Sequence, residues 1–316
     1  MAKLISQSLT ASFPRRAKWS PDGKCLLSAT YDRKLQFFSA ENGILNSSFD
    51  KKSPKDVTDI VWYPLMNTDD KSSCAFASVC PFFPVELIDS LDGHIRAQYR
   101  CQYGGDRPAS IASLEFLGNS ILAGGSKTLY QCDMIKGDNF GTPIYNCKGS
   151  ILSLATHPSS NFLAAGKSTG KVSFLDARNY TDVLEVDFHN HGVDSICWVD
   201  HFLLSSAKLE NEVIILDTRT PSVPFGFIKI ERKSSRYISI SYSGDNIVVG
   251  SEGSNALIYD KEFNKIGQVG ENPTPIVEIS KDSYILAASG TFQQISDEDI
   301  GVIEFRPILK SFSVYK

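Results

Sequence analysis

The sequence predicts an all-β chain wound as a seven-bladed β-propeller, its ring closed by the N-terminal strand joining the last blade. Three observations predict it. An acidic residue ends an apolar run at a near-constant interval, a run of small residues recurs in phase with it, and no stretch keeps apolar residues at helical spacing for three turns. Val, Ile, Phe and Tyr instead cluster in runs of four to six between Gly, Asn, Asp and Ser turns.

The acidic positions are Asp89, Asp133, Asp176, Asp217 and Asp260, at intervals of 44, 43, 41 and 43 residues, and a further step of 44 reaches Glu304. Their contexts are alike, as in Leu87-Ile88-Asp89, Phe174-Leu175-Asp176 and Ile215-Leu216-Asp217. A further unit ends at Phe37-Phe38-Ser39, 50 residues before Asp89, where the polar insertion at 67–71 accounts for the extra length. The small-residue runs include Leu27-Ser28-Ala29, Leu122-Ala123-Gly124, Ala164-Ala165-Gly166, Leu204-Ser205-Ser206 and Val249-Gly250-Ser251. Small residues at a fixed strand position imply close backbone approach, as crowded inner strands of a radial array require. A β-type segment precedes each run, for example Ile60-Val61-Trp62 or Ile196-Cys197-Trp198.

A period of ~40 to 45 residues with four strands per unit is the signature of WD-type repeats. The expected units are approximately 17–50, 57–101, 111–147, 151–188, 193–230, 237–270 and 276–316, the last joined by 4–9, in a single domain over 1–316. Too little chain follows Glu304 to complete a blade, and residues 4–9 have none of their own. Pairing the two would remove exposed sheet edges.

Composition sets the broad class. The chain has 316 residues, 42% hydrophobic and 22% charged, so it can bury a full core. Its net charge of -4 excludes binding by bulk positive charge and leaves room for a local basic face. The first ten residues lack the ~7 to 15-residue apolar stretch of an export signal, and no window approaches the ~20 apolar residues that cross a bilayer. The expectation is a protein that is neither exported nor membrane-bound. Its seven cysteines form an odd set without a C-x-x-C pair and read as reduced thiols.

The apparent catalytic and metal motifs have plain structural readings. Gly166-Lys167-Ser168 resembles the end of a phosphate-binding loop, but Asn161 stands where that loop needs Gly, and no helix follows. His189 and His191 fall on one strand face with no third ligand nearby, so a structural hydrogen bond is preferred to a metal site. No G-x-S-x-G elbow or Cys–His pairing stands out. The sequence therefore implies no enzyme activity, no cofactor, no metal and no small-molecule substrate. Ser296, before Asp297-Glu298-Asp299, is a candidate for acid-directed phosphorylation.

Sorting loops by face is more informative. In a propeller, loops leading into the innermost strand and loops joining the second to the third strand open on one face. Their charges sum to +5 and -1, so this face carries +4 and the rest of the chain -8. Its basic residues include Arg15, Arg16, Arg33, Lys34, Lys51, Lys52, Lys55, Arg232, Lys233 and Arg236, interleaved with Tyr31, Phe82, Phe83 and Tyr237. Cations that position phosphates beside rings that stack bases suit RNA. The plainer reading is that Lys and Arg favour loops, and that Phe82 and Phe83 anchor a protein partner or fold back on a neighbouring blade.

Several segments stand out together: Lys18-Trp19-Ser20-Pro21-Asp22-Gly23, Trp62-Tyr63-Pro64-Leu65-Met66 with its polar insertion, Pro84-Val85-Glu86-Leu87-Ile88-Asp89, Ser205-Ser206-Ala207-Lys208 through Leu216-Asp217-Thr218-Arg219, and Arg236-Tyr237. In this order they resemble the telomerase Cajal body protein family and its shorter fungal relatives linked to small nuclear RNPs and splicing. The resemblance implies a nuclear scaffold that binds small nuclear, small Cajal body or telomerase RNA and meets RNP proteins. It adds Lys18, beside Arg236, as an RNA contact. The alternatives are a substrate adaptor of a cullin ubiquitin ligase, suggested by Asp176-Ala177-Arg178 and Asp217-Thr218-Arg219, and a protein-only scaffold.

Overall fold

The computed structural model describes residues 2–9, 12–270, 273–292 and 305–314. Strand β1 (Ala2–Leu9) opens the chain. β2 (Pro14–Trp19), β3 (Cys25–Thr30), β4 (Lys34–Glu41) and β5 (Ile44–Lys52) form one antiparallel sheet; β6 (Asp59–Trp62), β7 (Ala75–Val79), β8 (Val85–Asp89) and β9 (Ile95–Tyr99) form the next. A six-stranded sheet follows, with β10 (Ile111–Leu117), β11 (Ser120–Asp133), β12 (Thr142–Thr156), β13 (Phe162–Lys167), β14 (Lys171–Asp176) and β15 (Asp182–Asp187). Two more four-stranded sheets are β16 (Val193–Val199), β17 (Phe202–Ala207), β18 (Glu212–Asp217), β19 (Gly226–Lys229), and β20 (Ile240–Ser243), β21 (Asn246–Val249), β22 (Ala256–Asp260), β23 (Lys265–Val269). The last joins β24 (Ile276–Ile279), β25 (Tyr284–Phe292) and β26 (Phe305–Val314) to β1.

The all-β propeller class is as expected, but the seven separate blades are not: five sheets are four-stranded blades and one sheet is six-stranded. The physical reason is β12. Its 15 residues run unbroken through a segment, 147–150, that reads as a loop, pairing with β11 on its first half and β13 on its second. A repeat period counts turns and is blind to a strand shared by successive units. The chain's two ends do share one sheet, with β1 antiparallel to β26 from Ala2 opposite Val314 to Leu9 opposite Ile308.

The acidic repeat is a repeated turn. Oδ1 of Asp89, Asp133, Asp176 and Asp217 each accepts the backbone N–H two residues on, from Leu91, Ile135, Arg178 and Arg219, at 2.7–2.9 Å. This Asx geometry ends the strand and reverses the chain. Asp260 does the equivalent for Asn264 N at 2.8 Å.

The small-residue repeat has an equally local cause. Near the start of successive inner strands, a hydroxyl donates to a carbonyl of the following inner strand: Thr58 to Ile111 (3.1 Å), Ser113 to Ile151 (3.3 Å), Ser153 to Val193 (2.9 Å) and Ser239 to Val277 (2.7 Å). A Cβ on Gly124 or Gly166 would land on the Ser113 or Ser153 hydroxyl. Deeper in the strands, Trp62 and Trp198 donate Nε1–H to Lys18 and Ala155 carbonyls of the preceding inner strands at 2.9 and 3.0 Å. Apolar clusters fill the gaps between sheets, such as Leu27, Phe37, Trp62 and Phe76, or Leu204, Ile215, Ile240 and Ile247. Each such buried Leu or Ile contributes about 1.5–3 kcal/mol.

Candidate nucleic-acid interface at the channel mouth

Bulges build the mouth. Strands β2, β10 and β16 each slip register at their second residue, between Pro14 and Arg16, Ile111 and Ser113, and Val193 and Ser195, and β12 slips late in its run, between Ile151 and Ser153, where its pairing with β13 begins. A bulge re-aims the extra residue. Here the extra residues are Arg15, Ala112, Leu152 and Asp194, and all four line one cavity of about 320 Å³ together with Arg16, Tyr31, Thr58, Lys208, Ser235, Arg236 and Tyr237.

Within this cavity Arg15 and Arg16 each have an aromatic and an acidic neighbour. Arg15 lies 5.0 Å from the Tyr31 ring centroid and 2.7 Å from Asp56, which Arg33 also meets at 3.2 Å. Arg16 stacks 3.5 Å from the Tyr237 centroid and sits 3.7 Å from Asp59. Beside Asp56, Lys55 lies 5.8 and 5.7 Å from the rings of Phe82 and Phe83, both exposed. Phe82 has φ +67°, a conformation rare for a bulky side chain, so the turn between Pro81 and Pro84 holds its ring outward at a cost.

The predicted site residues thus separate. Arg15, Arg16, Tyr31, Arg236 and Tyr237 meet at the mouth, and Arg33 joins them through Asp56. Phe82 and Phe83 form a flanking ledge with Lys55, and Lys233 is exposed. Lys34 is engaged by Asp32 at 3.4 Å and Asp50 at 3.8 Å. Lys18 lies below the mouth, 3.4 Å from Glu278. Arg232 is no part of the surface: its side chain is fully buried, bonded to Asp194 at 3.1 Å, Ser206 Oγ at 2.9 Å and the Arg236 carbonyl at 3.1 Å. Sequence reasoning omitted Lys208 and Ser235 from the site; for Lys208 the available signal was its place two residues after the small-residue run Leu204-Ser205-Ser206, in a loop that opens on the basic face.

Beneath the mouth lies a second cavity of about 330 Å³, the central channel, lined by Arg16, Lys18, Asp59, Glu115, Asp194, Trp19, Trp62 and Tyr237 among others. Burial pushes the carboxyls of Asp59, Asp194 and Glu278 above their usual range and holds Glu115 at about 7. Lys18 is held well above its ordinary value, chiefly by Glu278.

Other sequence motifs find structural employment. Lys167 Nζ is buried against Glu185 (2.7 Å) and the Tyr145 hydroxyl (3.3 Å). His189 is buried between Glu210 (2.6 Å) and Ser205 Oγ (2.8 Å). Arg178 and Arg219 fold back onto their own Asp176 and Asp217 at 2.6 and 2.7 Å rather than bridging blades. All seven cysteines are free thiols. Among the described residues one trio with metal-ligand chemistry, Asp89, Asp92 and His94, lies close together, but Arg96 already neutralises Asp89. Ser296 and the acidic stretch after it lie outside the described residues.

No protein-family model matches the chain. It is 20% identical over 280 residues to Telomerase Cajal body protein 1 of Homo sapiens, covering 79% of this chain and 50% of that protein. The Telomerase Cajal body protein 1 homolog of Drosophila melanogaster gives 22% over 275 residues, with 79% and 50% covered. Guanine nucleotide-binding protein negative regulator 1 of Schizosaccharomyces pombe is 29% identical over 170 residues, 49% of this chain and 40% of that protein. The chain is a distant homologue of proteins named Telomerase Cajal body protein 1 over most of its length, and it spans about half the length of those relatives.

Proposed function

We propose that this propeller is a non-catalytic nuclear scaffold that holds a small nuclear, small Cajal body or telomerase RNA at its channel mouth and supports assembly of the RNP. One observation carries the reading: the 320 Å³ mouth gathers Arg15, Arg16, Lys208 and Arg236 with the rings of Tyr31 and Tyr237. Guanidinium and ammonium groups meet phosphates while rings accept unpaired bases, at about 1–3 kcal/mol per stacked base. Asp56 and Asp59 orient Arg15, Arg33 and Arg16 in advance, which lowers the entropy lost on binding. The nuclear location and the class of RNA rest on the names of the distant homologues. The scaffold role is supported by the structural employment of Lys167 and His189, whose motifs otherwise suggest chemistry.

The test is crosslinking of the tagged protein in its own cells with sequencing of the attached RNA, beside an Arg33→Glu/Lys233→Glu/Arg236→Glu variant. These positions are exposed, so folding is preserved. The enriched small RNA should fall at least tenfold in the variant. With purified components, the slope of log affinity against log salt should drop by about 2, as expected for three lost contacts to a single strand. Equal RNA recovery from both proteins rejects this face, and recovery that vanishes once associated proteins are stripped away replaces the reading with a protein-only scaffold.

A further inference from the structure

The channel beneath the mouth holds one more carboxyl than it neutralises. Asp194 is matched by the buried Arg232. The remaining walls set Arg16 and Lys18 of β2 beside Asp59 of β6 and Glu115 of β10; Arg16 is on Asp59 at 3.7 Å, and Lys18 is on Glu278 of β24, outside the lining, at 3.4 Å. Glu115 is left over. Among the described residues no ion pair reaches it, and its Oε1 accepts only the Phe116 amide at 3.1 Å and the Thr156 hydroxyl at 3.4 Å. A second observation agrees with this deficit. Behind Lys18, Glu278 is 7% exposed and its Oε2 has no hydrogen-bond partner, so Lys18 is committed to that carboxyl and not to Glu115. A buried carboxylate in this condition is costly unless a cation completes its surroundings.

The cavity has the room and the walls for such a cation. Its volume of about 330 Å³ is within the range of small-ligand sites, and Tyr237, whose ring stacks on Arg16, is among its lining residues. It is reached from the mouth, because Arg16, Leu152, Asp194 and Tyr237 line both cavities. Charge changes sign along this path, from the cationic rim of Arg15, Lys208 and Arg236 to the carboxylates below.

We propose that the channel is a binding site for one guanidinium or ammonium group, the side chain of an Arg or Lys of a protein partner, received by Glu115 while acidic neighbours of that side chain meet Arg15 and Arg236 at the rim. A free polyamine offers the same chemistry, but its several charges face repulsion at the rim, whereas an acidic-flanked basic residue matches both levels. This goes beyond RNA binding and does not depend on it.

The empty channel balances its charge by other means. Burial holds Glu115 at about 7, so near neutrality a proton shares the place the guest would take. The groups that face Glu115 are Lys18 of β2, Asp59 of β6 and the Thr156 hydroxyl of β12, with Glu278 of β24 behind Lys18. Binding the cation therefore displaces a proton, and affinity rises as pH rises through 7.

Isothermal titration of the full chain, free of RNA, with acetyl-Asp-Arg-Asp-amide tests this at pH 6 and pH 8. We expect one saturable site, affinity about tenfold higher at pH 8, and proton release visible as a buffer-dependent heat at pH 7. Spermidine should bind at least tenfold more weakly. In Glu115→Gln, peptide affinity should drop at least tenfold and lose its pH dependence. Absence of saturable binding, affinity equal at both pH values, or undiminished binding to Glu115→Gln overturns the proposal, and tighter binding of spermidine overturns the partner side chain as the source. If Glu115→Gln does not fold, carboxyl-carbon NMR of the wild-type chain decides: saturating peptide must lower the Glu115 titration midpoint, and an unmoved midpoint overturns the site.

Discussion

The rim of the channel and its interior use the same residue types to opposite ends. Arg236 and Arg232 are four residues apart in one loop; the first is exposed at the mouth, while the second is buried against Asp194 of a strand 38 residues earlier. At the rim, Arg15 and Arg33 share a half-exposed Asp56 and stay in contact with water. In the interior, each charge is withdrawn from water and its value depends on its partner. The lesson is that depth, set by which residue a bulge or loop turns inward, separates a binding cation from a structural one.

The largest expected effect breaks that comparison at its sharpest point. Removing one member of a buried pair leaves the other uncompensated, so Arg232→Ala should cost about 3–5 kcal/mol in urea unfolding. Arg232→Lys should recover little, since a single ammonium does not reproduce bonds to Asp194, Ser206 and the Arg236 carbonyl together. Arg236→Ala should change stability by less than about 0.5 kcal/mol while weakening RNA. Equal costs at the two positions would erase the distinction between rim and interior.

The next effect runs in the stabilising direction. Glu115 moves from 4.5 to about 7 on folding, so the folded chain binds more protons than the unfolded chain between those values. Stability from this group is present below pH 4.5 and is lost as pH rises through 7. Glu115→Gln removes that loss, and at pH 8 the variant should be more stable than the wild type by up to about 3 kcal/mol, with little difference at pH 4. Paired thermal melts at the two pH values check this. A variant equally destabilised at both would show that Glu115 is no excess charge.

Much of the fold was legible in the sequence because its repeats arise from contacts within a few residues or between neighbouring strands. The acidic period marks turns closed two residues on, and the small-residue period marks where Ser113 and Ser153 hydroxyls pass to the next inner strand. The division into sheets was less legible, since Cys147, Lys148, Gly149 and Ser150 read as a loop although β12 continues through them. At the mouth, Arg15, Arg16, Tyr31, Arg236 and Tyr237 were visible as loop cations and rings. Arg232 was misread because its partner is distant in sequence. The channel carboxyls were missed for a similar reason: Asp59 and Glu115 each stand alone in an apolar inner strand, as Glu278 behind Lys18 does in Val277-Glu278-Ile279, and only the closed ring brings them together.

The smallest effect tests the turn that made the repeat visible, on the face away from the mouth. Asp133 Oδ1 accepts from Ile135 N at 2.8 Å and Lys136 N at 3.3 Å. Asp133→Ala removes both bonds and should cost about 1 kcal/mol, read by urea unfolding. Asp133→Asn keeps an oxygen in the same place and should cost less than half as much, because the turn needs an acceptor and no charge. Neither should alter RNA or peptide affinity, since the β11 to β12 turn opens opposite the rim. If Asn proves as costly as Ala, the recurring acid is held by its charge, and the interval of 41 to 44 residues marks an electrostatic requirement instead of an Asx turn.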